Sequence, residues 1–286
     1  MGESRQGTMT VSIAHLGPTG TNAEAAALAY ASWLTQKGEQ ALLCPYPSIA
    51  QTLRATAQGQ ATLAVVPVEN SIEGSVAITL DTLWQLDMLQ IQQALVLPIS
   101  HALISCAESK AAIRTVYSHP QALAQCQRWL EQFVPNVQLI PSNSTTEALE
   151  HLDEDRTAAA IASLRAAQMY NLPVLAHPIN DYPDNCTRFW VLGKQPGTGG
   201  SHTSLAFSVP ANVPGALVKP LQAFAVRGIN LSRIESRPSK RSLGDYLFFI
   251  DLEADASLSA IESALAELTA YTETLKIFGS YTILSV

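Results

Sequence analysis

Asn185, Thr187 and Arg188 place an amide, a hydroxyl and a guanidinium at the entrance of the apolar run Phe189-Trp190-Val191-Leu192. Such a set can donate hydrogen bonds and hold an anion. No His, Cys pair or Gly-rich loop stands beside it to suggest metal, thiol or nucleotide chemistry. The β-branched and aromatic residues from Thr187 to Leu192 read as a buried strand, which would carry a site on a rigid element. A loop in which Asn185 caps a turn and Arg188 meets a surface carboxylate is the other reading. A second cluster ends the apolar run Val66-Pro67-Val68 in Glu69, Asn70 and Ser71. Functional groups gather at such strand ends in α/β folds, and an ordinary strand-to-helix turn capped by Asn70 or Ser71 explains the same residues.

Four expected helices open with a hydroxyl followed three residues later by Glu or Gln: Thr21/Glu24, Ser48/Gln51, Ser118/Gln121 and Ser144/Glu147. Each fits a capping box, in which the two side chains satisfy otherwise unpaired backbone N–H groups. Helix N-termini also attract carboxylates, so several aimed into one cleft would hold a dianion with few lysines. The glycines of Gly17-Pro18-Thr19-Gly20-Thr21 allow close backbone approach. The run is no nucleotide loop, because it lacks GxGxxG and no GxxxxGK[ST] occurs in the chain.

The elements that must position these groups follow from pattern and composition. The chain has 286 residues, 47% hydrophobic and 14% charged, enough for two domains with sizeable cores. A net charge of -7 without a basic cluster argues against nucleic acid as a partner. Cys44, Cys106, Cys126 and Cys186 are isolated, and the six histidines show no ligand spacing, so no metal site is expected. The polar first residues and the lack of an eighteen-residue apolar run predict a soluble, cytoplasmic protein with no membrane partner.

Val11–Leu16, Leu63–Val68, Thr115–Ser118, Val137–Pro141, Ala158–Ala162 and Val174–Ile179 read as buried strands. Thr21–Gln36, Ser48–Ala57, Pro120–Phe133 and Ser144–Leu152 read as helices. The long extended run Leu89–Ile99 is placed to lead from one lobe to a second. Lys194–Ser201, rich in Gly, Pro and Ser, is a linker. Beyond it, Ser204–Val209, Pro214–Arg227, Ile229–Ile234, Tyr246–Glu253, Leu258–Leu268 and Leu275–Leu284 spell βαββαβ, a ferredoxin-like unit. Two domains are therefore expected, residues 10–194 and 202–286.

Taken in order, Gly17–Thr21, Val66–Ser71, Tyr117–Gln121, Ser144–Thr146 and Asn185–Phe189 resemble the prephenate dehydratase family. Pro214-Gly215-Ala216-Leu217 and Glu235-Ser236-Arg237-Pro238 are similar to the phenylalanine-binding motifs of the ACT regulatory domain that follows this catalytic domain. The resemblance implies an α/β catalytic domain of two lobes, similar to type II periplasmic binding proteins, with the site between them. It implies conversion of prephenate to phenylpyruvate, water and carbon dioxide without a cofactor.

The same resemblance assigns roles. Thr187, Glu69, Asn70, Ser118 and Gln125 would be catalytic, and Thr21, Ser71, Ser144, Thr145, Asn185 and Arg188 would bind substrate. L-phenylalanine, the allosteric effector, would meet Asn212, Gly215, Ala216, Leu217, Glu235, Ser236, Arg237 and Pro238 between the subunits of a homodimer or homotetramer. Asn22 and Ala23 depart from the family's usual aromatic followed by Ser or Thr. No chorismate mutase segment precedes Val11, so a single activity is expected.

The chemistry constrains two of these residues. Prephenate becomes aromatic by losing its ring carboxylate and ring hydroxyl, so a donor near the hydroxyl is required. The proton of Thr187 is weakly acidic, which favours a hydroxyl relay or donation to a developing oxyanion. A guanidinium on the ring carboxylate would hold back electrons that must enter the ring. Arg188 therefore either binds the pyruvyl carboxylate or is structural, and the alternation of side chains along a strand favours the second. Arogenate dehydratase and a non-catalytic two-lobed amino acid receptor are the competing readings.

Overall fold

The computed structural model describes residues 10–153 and 155–286. In the first lobe, β1 (Thr10–Leu16), α1 (Asn22–Gln36), β2 (Gln40–Tyr46), α2 (Ile49–Ala57), β3 (Leu63–Asn70), β4 (Gly74–Ser75), α3 (Ala77–Trp84) and β5 (Gln90–Pro98) follow one another. β5 leads into the second lobe, as its length suggested. There β6 (Ala102–Ile104), β7 (Thr115–Ser118), α4 (Pro120–Ala124), α5 (Gln127–Phe133), β8 (Gln138–Pro141), β9 (Ala158–Ala162), α6 (Leu164–Met169) and β10 (Val174–Ala176) form a five-stranded sheet ordered β10-β6-β9-β7-β8.

The chain then returns as β11 (Cys186–Gly193), which inserts between β5 and β3, antiparallel to both. A strand in the middle of a sheet is covered on both faces, which explains its unbroken apolar run. Phe189 and Val191 pack beneath α1, while Trp190 and Leu192 face the opposite side.

The remaining elements are β12 (His202–Ser208), α7 (Val218–Ala225), β13 (Leu231–Pro238), β14 (Tyr246–Leu252), α8 (Ser259–Thr269), β15 (Thr274–Tyr281) and β16 (Ile283–Ser285). β12 to β15 make an antiparallel sheet ordered β13-β14-β12-β15. α7 and α8 share a core with one face of it. Its other face, through Ala206, Leu247, Phe249, Phe278 and Tyr281, joins a single buried cluster with Leu80, Leu83, Ile91 and Trp190 of the first lobe. The expected run Leu275–Leu284 is split, and β16 adds in parallel to the edge of the first lobe's sheet at β5. Gly200 lets the linker lie on β15, since a Cβ there would sit 2.1 Å from the Tyr281 carbonyl carbon.

Three local expectations are corrected. The helix expected over 120–133 is two helices, because Asp181 of the returning chain accepts N–H bonds from Arg128 (2.9 Å) and Trp129 (3.0 Å) and starts α5 afresh. The segment from Ser144 forms a 3-10 turn at Glu147–Leu152. Ser118 is no helix cap: His119 takes the Gln121 N–H, and Ser118 donates to the Ile161 carbonyl at 2.6 Å. β2, α3, β6 and α6 carry patterns too short or too mixed to stand out. Among the described residues no helix is long and apolar enough to cross a membrane.

Candidate active site

β11 and β3 run antiparallel until a β-bulge at Val68, where the register steps from Phe189↔Pro67 to Arg188↔Glu69 and Thr187↔Asn70. Strict alternation would put Asn70 on the face of Val66, towards the C-terminal domain. The bulge reverses this and turns Asn70 to the side of Thr187, the kind of re-aiming for which bulges occur near sites. The Asn70 amide then donates to Thr187 Oγ (2.9 Å), Asn185 Oδ1 (2.9 Å) and the Cys186 carbonyl (3.2 Å). Its own Oδ1 accepts the N–H groups of Ile72 (3.0 Å) and Glu73 (3.1 Å), fixing the amide orientation. Ser71 Oγ accepts the Cys186 N–H at 3.0 Å and closes the turn.

The second lobe contributes Gln125, the last residue of the α4 turn. Gln125 Oε1 accepts from Asn185 Nδ2 (2.8 Å) and faces His101 Nε2 (3.0 Å), while its amide reaches Asn70 Oδ1 (3.5 Å). Asn70, Gln125, Asn185 and Thr187 are all at most 9% exposed. Buried amides in a closed circuit of this kind hold one another's rotamers.

His101, at the crossover between the lobes, carried no signal in the sequence because a lone histidine among apolar residues has no partner visible there. Burial pushes its pKa below the ordinary value, with the Gln125 bond opposing only in part. The ring is therefore neutral and donates from Nε2 to Gln125.

Beside Asn70, the one member of the circuit that lines it, lies an open cleft of about 500 Å³, lined also by Glu73–Val76, His119–Gln121 and Ala124. The lobes also touch at a second point. Gly20 packs on Thr146, its N–H donates to Glu24 at 2.7 Å, and Glu24 pairs with Arg165 of α6 at 2.7 Å. Burial raises the Glu24 pKa, but the Gly20 N–H and the Arg165 guanidinium outweigh it and hold the carboxyl below its usual range. Thr21 caps α1 and Ser144 caps the 3-10 turn beside this contact, with Thr145 next to it.

The structure thus brings together Asn70, Ser71, Gln125, Asn185 and Thr187, leaves Thr21, Ser144 and Thr145 at the second contact, and sets Glu69, Arg188, Ser118 and Arg237 apart from both. Glu69 and Arg188 pair with each other on the opposite face of the sheet, where Arg188 also meets Asp251 at 3.3 Å. Neither side chain faces the circuit of Asn70 and Thr187 in this arrangement. Ser118 is fully buried with its proton given to Ile161. Arg237 makes a bidentate bond to Asp81 of α3, both distances 3.1 Å, so its guanidinium is occupied. The rest of the C-terminal motifs lie at a left-handed turn at Gly215 (φ 80°), at Asn212, which donates to the Gly244 carbonyl at 3.0 Å, and along the edge strand β13.

Residues 13–197 match the family model for prephenate dehydratase, and residues 203–270 match that of the ACT domain. The chain belongs to the prephenate dehydratase family. It is 43% identical over 273 residues to the bifunctional chorismate mutase/prephenate dehydratase of Aquifex aeolicus, covering 95% of this chain and 73% of that protein. With the prephenate dehydratase of Lactococcus lactis subsp. cremoris it shares 38% over 282 residues, 96% of this chain and 98% of that one. Among solved structures, prephenate dehydratase of Arthrobacter aurescens in complex with L-Phe superposes with a TM-score of 0.81 at 34% identity, covering 96% and 90% of the two chains. That of Staphylococcus aureus gives 0.80 at 30% identity, covering 95% and 99%. The chain is accordingly a carbon–oxygen lyase of the hydro-lyase class, carrying an ACT domain.

Proposed function

We propose that the cleft converts prephenate to phenylpyruvate with Thr187 donating to the departing ring hydroxyl. The observation that carries this reading is the direction of one hydrogen bond. Thr187 Oγ accepts from Asn70 Nδ2, and that amide nitrogen cannot accept in return, so the threonine's own proton is left for another acceptor. The Asn70 amide also stabilises negative charge developing on Oγ. In the reaction, the bond from ring to carboxylate breaks, its electron pair enters the ring, and the ring hydroxyl departs as water with a proton from Thr187, which regains one from solvent. Carbon dioxide is the other product.

The lack of a lysine or arginine among the described residues lining the cleft supports the same reading. A cation beside the ring carboxylate would stabilise the ground state and slow its loss. Asn185 and Gln125 tie the lobes together behind Thr187 and bring it to a fixed position. Incubating the purified protein with prephenate and following phenylpyruvate tests the assignment. Arogenate in a parallel reaction tests the substrate, and turnover of neither would defeat the reading.

The ACT domain is proposed to bind L-phenylalanine between two copies of the chain. The edge strand β13 leaves Ile234 48% exposed, and Val213 and Val218 beside the Gly215 turn are 56% and 61% exposed. The Arthrobacter relative was solved with L-Phe. Calorimetric titration of phenylalanine into the intact protein is the check. The intact chain is needed because its C-terminal domain shares a core with the first lobe. Binding should be lost in Gly215→Val, which cannot hold the positive φ. No heat of binding with the unaltered protein would exclude the effector.

A further inference from the structure

The sheet that carries Asn70 and Thr187 on its cleft side carries charges on its back. Glu69 pairs with Arg188, Arg188 with Asp251 at 3.3 Å, and Asp251 with Arg233 at 2.8 Å. The four charges alternate in sign and sum to zero. Side-chain exposures are 30%, 15%, 0% and 6% in that order, so the inner three are nearly dry. They sit beside an apolar cluster that includes Trp190, over which the Arg233 guanidinium lies 5.5 Å from the ring centroid. Ser204 donates to Asp251 at 2.6 Å and completes its hydrogen bonding.

A buried ionic cluster of this kind contributes little stability relative to apolar residues of the same volume. What it supplies is direction, because each carboxylate and guanidinium must meet its partner's lone pairs or protons. Two of the four side chains stand one residue from the cleft: Glu69 precedes Asn70, and Arg188 follows Thr187. The other two belong to β14 and β13 of the ACT domain. Arg233 also donates to Ser75 Oγ at 3.3 Å, and Ser75 lines the cleft. The mechanism above uses none of these charges.

We propose that Glu69 and Arg188 are positioning residues, which hold Asn70 and Thr187 in register through Asp251 and Arg233 of the ACT domain. The ACT domain is then part of the catalytic scaffold even without an effector. An effector that shifts β13 or β14 moves the cleft residues by pulling on this chain of charges. The inference rests on the reading of Thr187 and Asn70 as the cleft's working groups.

The test measures kcat and KM for prephenate in the full-length protein. Asp251→Asn, in the other domain from the cleft, should lower kcat about tenfold with KM little changed, the size expected of coupling through a packed network. Glu69→Gln should do the same, and the double variant should be no worse than the more severe single, as for members of one network. The pH profile of kcat in Glu69→Gln should keep its shape. Asp251→Asn leaves two guanidiniums without their carboxylate, so its fold is checked by circular dichroism. If it does not fold, Glu69→Gln, at the exposed end of the cluster, carries the test alone.

Wild-type kinetics in folded Asp251→Asn or in Glu69→Gln, or additive losses, would overturn the proposal. A limb of the pH profile lost in Glu69→Gln would overturn it too, by making Glu69 a proton carrier. An inert Thr187→Ala would instead remove the reading of the cleft, and this inference with it. Loss of activity in Thr187→Ala together with unaffected network variants removes this inference alone.

Discussion

On the cleft side of β3 and β11 the polar atoms belong to Asn70, Asn185 and Thr187; on the back they belong to Glu69, Arg188 and the two ions they meet. One pair of strands therefore presents amides and a hydroxyl to one side and charges to the other. The division suits a substrate that brings two carboxylates of its own. Neutral donors can steady a leaving hydroxyl without trapping the carboxylate that must depart, whereas ions in the same place would bind the ground state. Charges on the back fix geometry, since their partners are other parts of the protein.

The largest expected effect lies on the cleft side. Thr187→Ala should reduce kcat by about 10²-fold or more with KM little altered, because its hydroxyl acts chiefly in the transition state. Steady-state kinetics on folded protein decides this, and near-normal turnover would erase the contrast between the faces.

Asn70→Asp sharpens the contrast by moving a charge across it. The shape is kept, but the carboxylate replaces a donor with an acceptor 2.9 Å from Thr187 Oγ and so draws the threonine proton inward. Turnover should fall by about the same 10²-fold as in Thr187→Ala. Activity close to the unaltered enzyme would show that the direction of this hydrogen bond does not matter.

Much of this arrangement was legible in the residues, and the parts that were not share a cause. The apolar runs of β3, β9 and β11 stood out because strands covered on both faces leave a continuous signal. The grouping of Asn70 and Thr187 rested on motif order. Alternation alone pointed Asn70 the wrong way, since the bulge at Val68 has no signature in Val66-Pro67-Val68-Glu69-Asn70. The same bulge sends Glu69 to the back, whereas the family resemblance groups it with Asn70. Arg188 was readable as structural from strand alternation, but its partner Asp251 lies 63 positions away in another domain. The break after α4 depends on Asp181, and no local rule connects that residue to a helix more than fifty positions earlier.

A smaller effect is expected where the lobes meet away from the circuit. Gly20 has φ 89°, and a Cβ there would lie 2.8 Å from Thr146 Cγ2. Gly20→Ala should strain the loop by about 1–3 kcal/mol and hold the lobes apart, raising KM more than it lowers kcat. Thermal melts and Michaelis curves measure the two parts separately. An unchanged KM would mean that this contact does not set the closure of the cleft.

The smallest effect concerns His101, which supports the cleft side from behind. Its folded pKa lies below the ordinary 6.5, because burial disfavours the imidazolium. Between the folded value and 6.5 the unfolded chain binds more protons than the folded one, so stability rises with pH across that window. The contribution is complete above the unfolded pKa and is lost as pH falls through the window. Glu24 and Asp81 act in the same direction but lower down, since arginine and lysine partners outweigh burial and hold them below 4.5 and 3.8. His101→Gln keeps a donor for Gln125 Oε1 and removes the titration. Melting temperatures between about pH 8 and pH 5 should therefore fall less steeply in His101→Gln than in the unaltered protein. Its kcat should stay near normal, because the bond to Gln125 survives. Parallel melting curves would show that His101 does not titrate in this range, and a large loss of kcat would show that the imidazole contributes more to the cleft than its hydrogen bond.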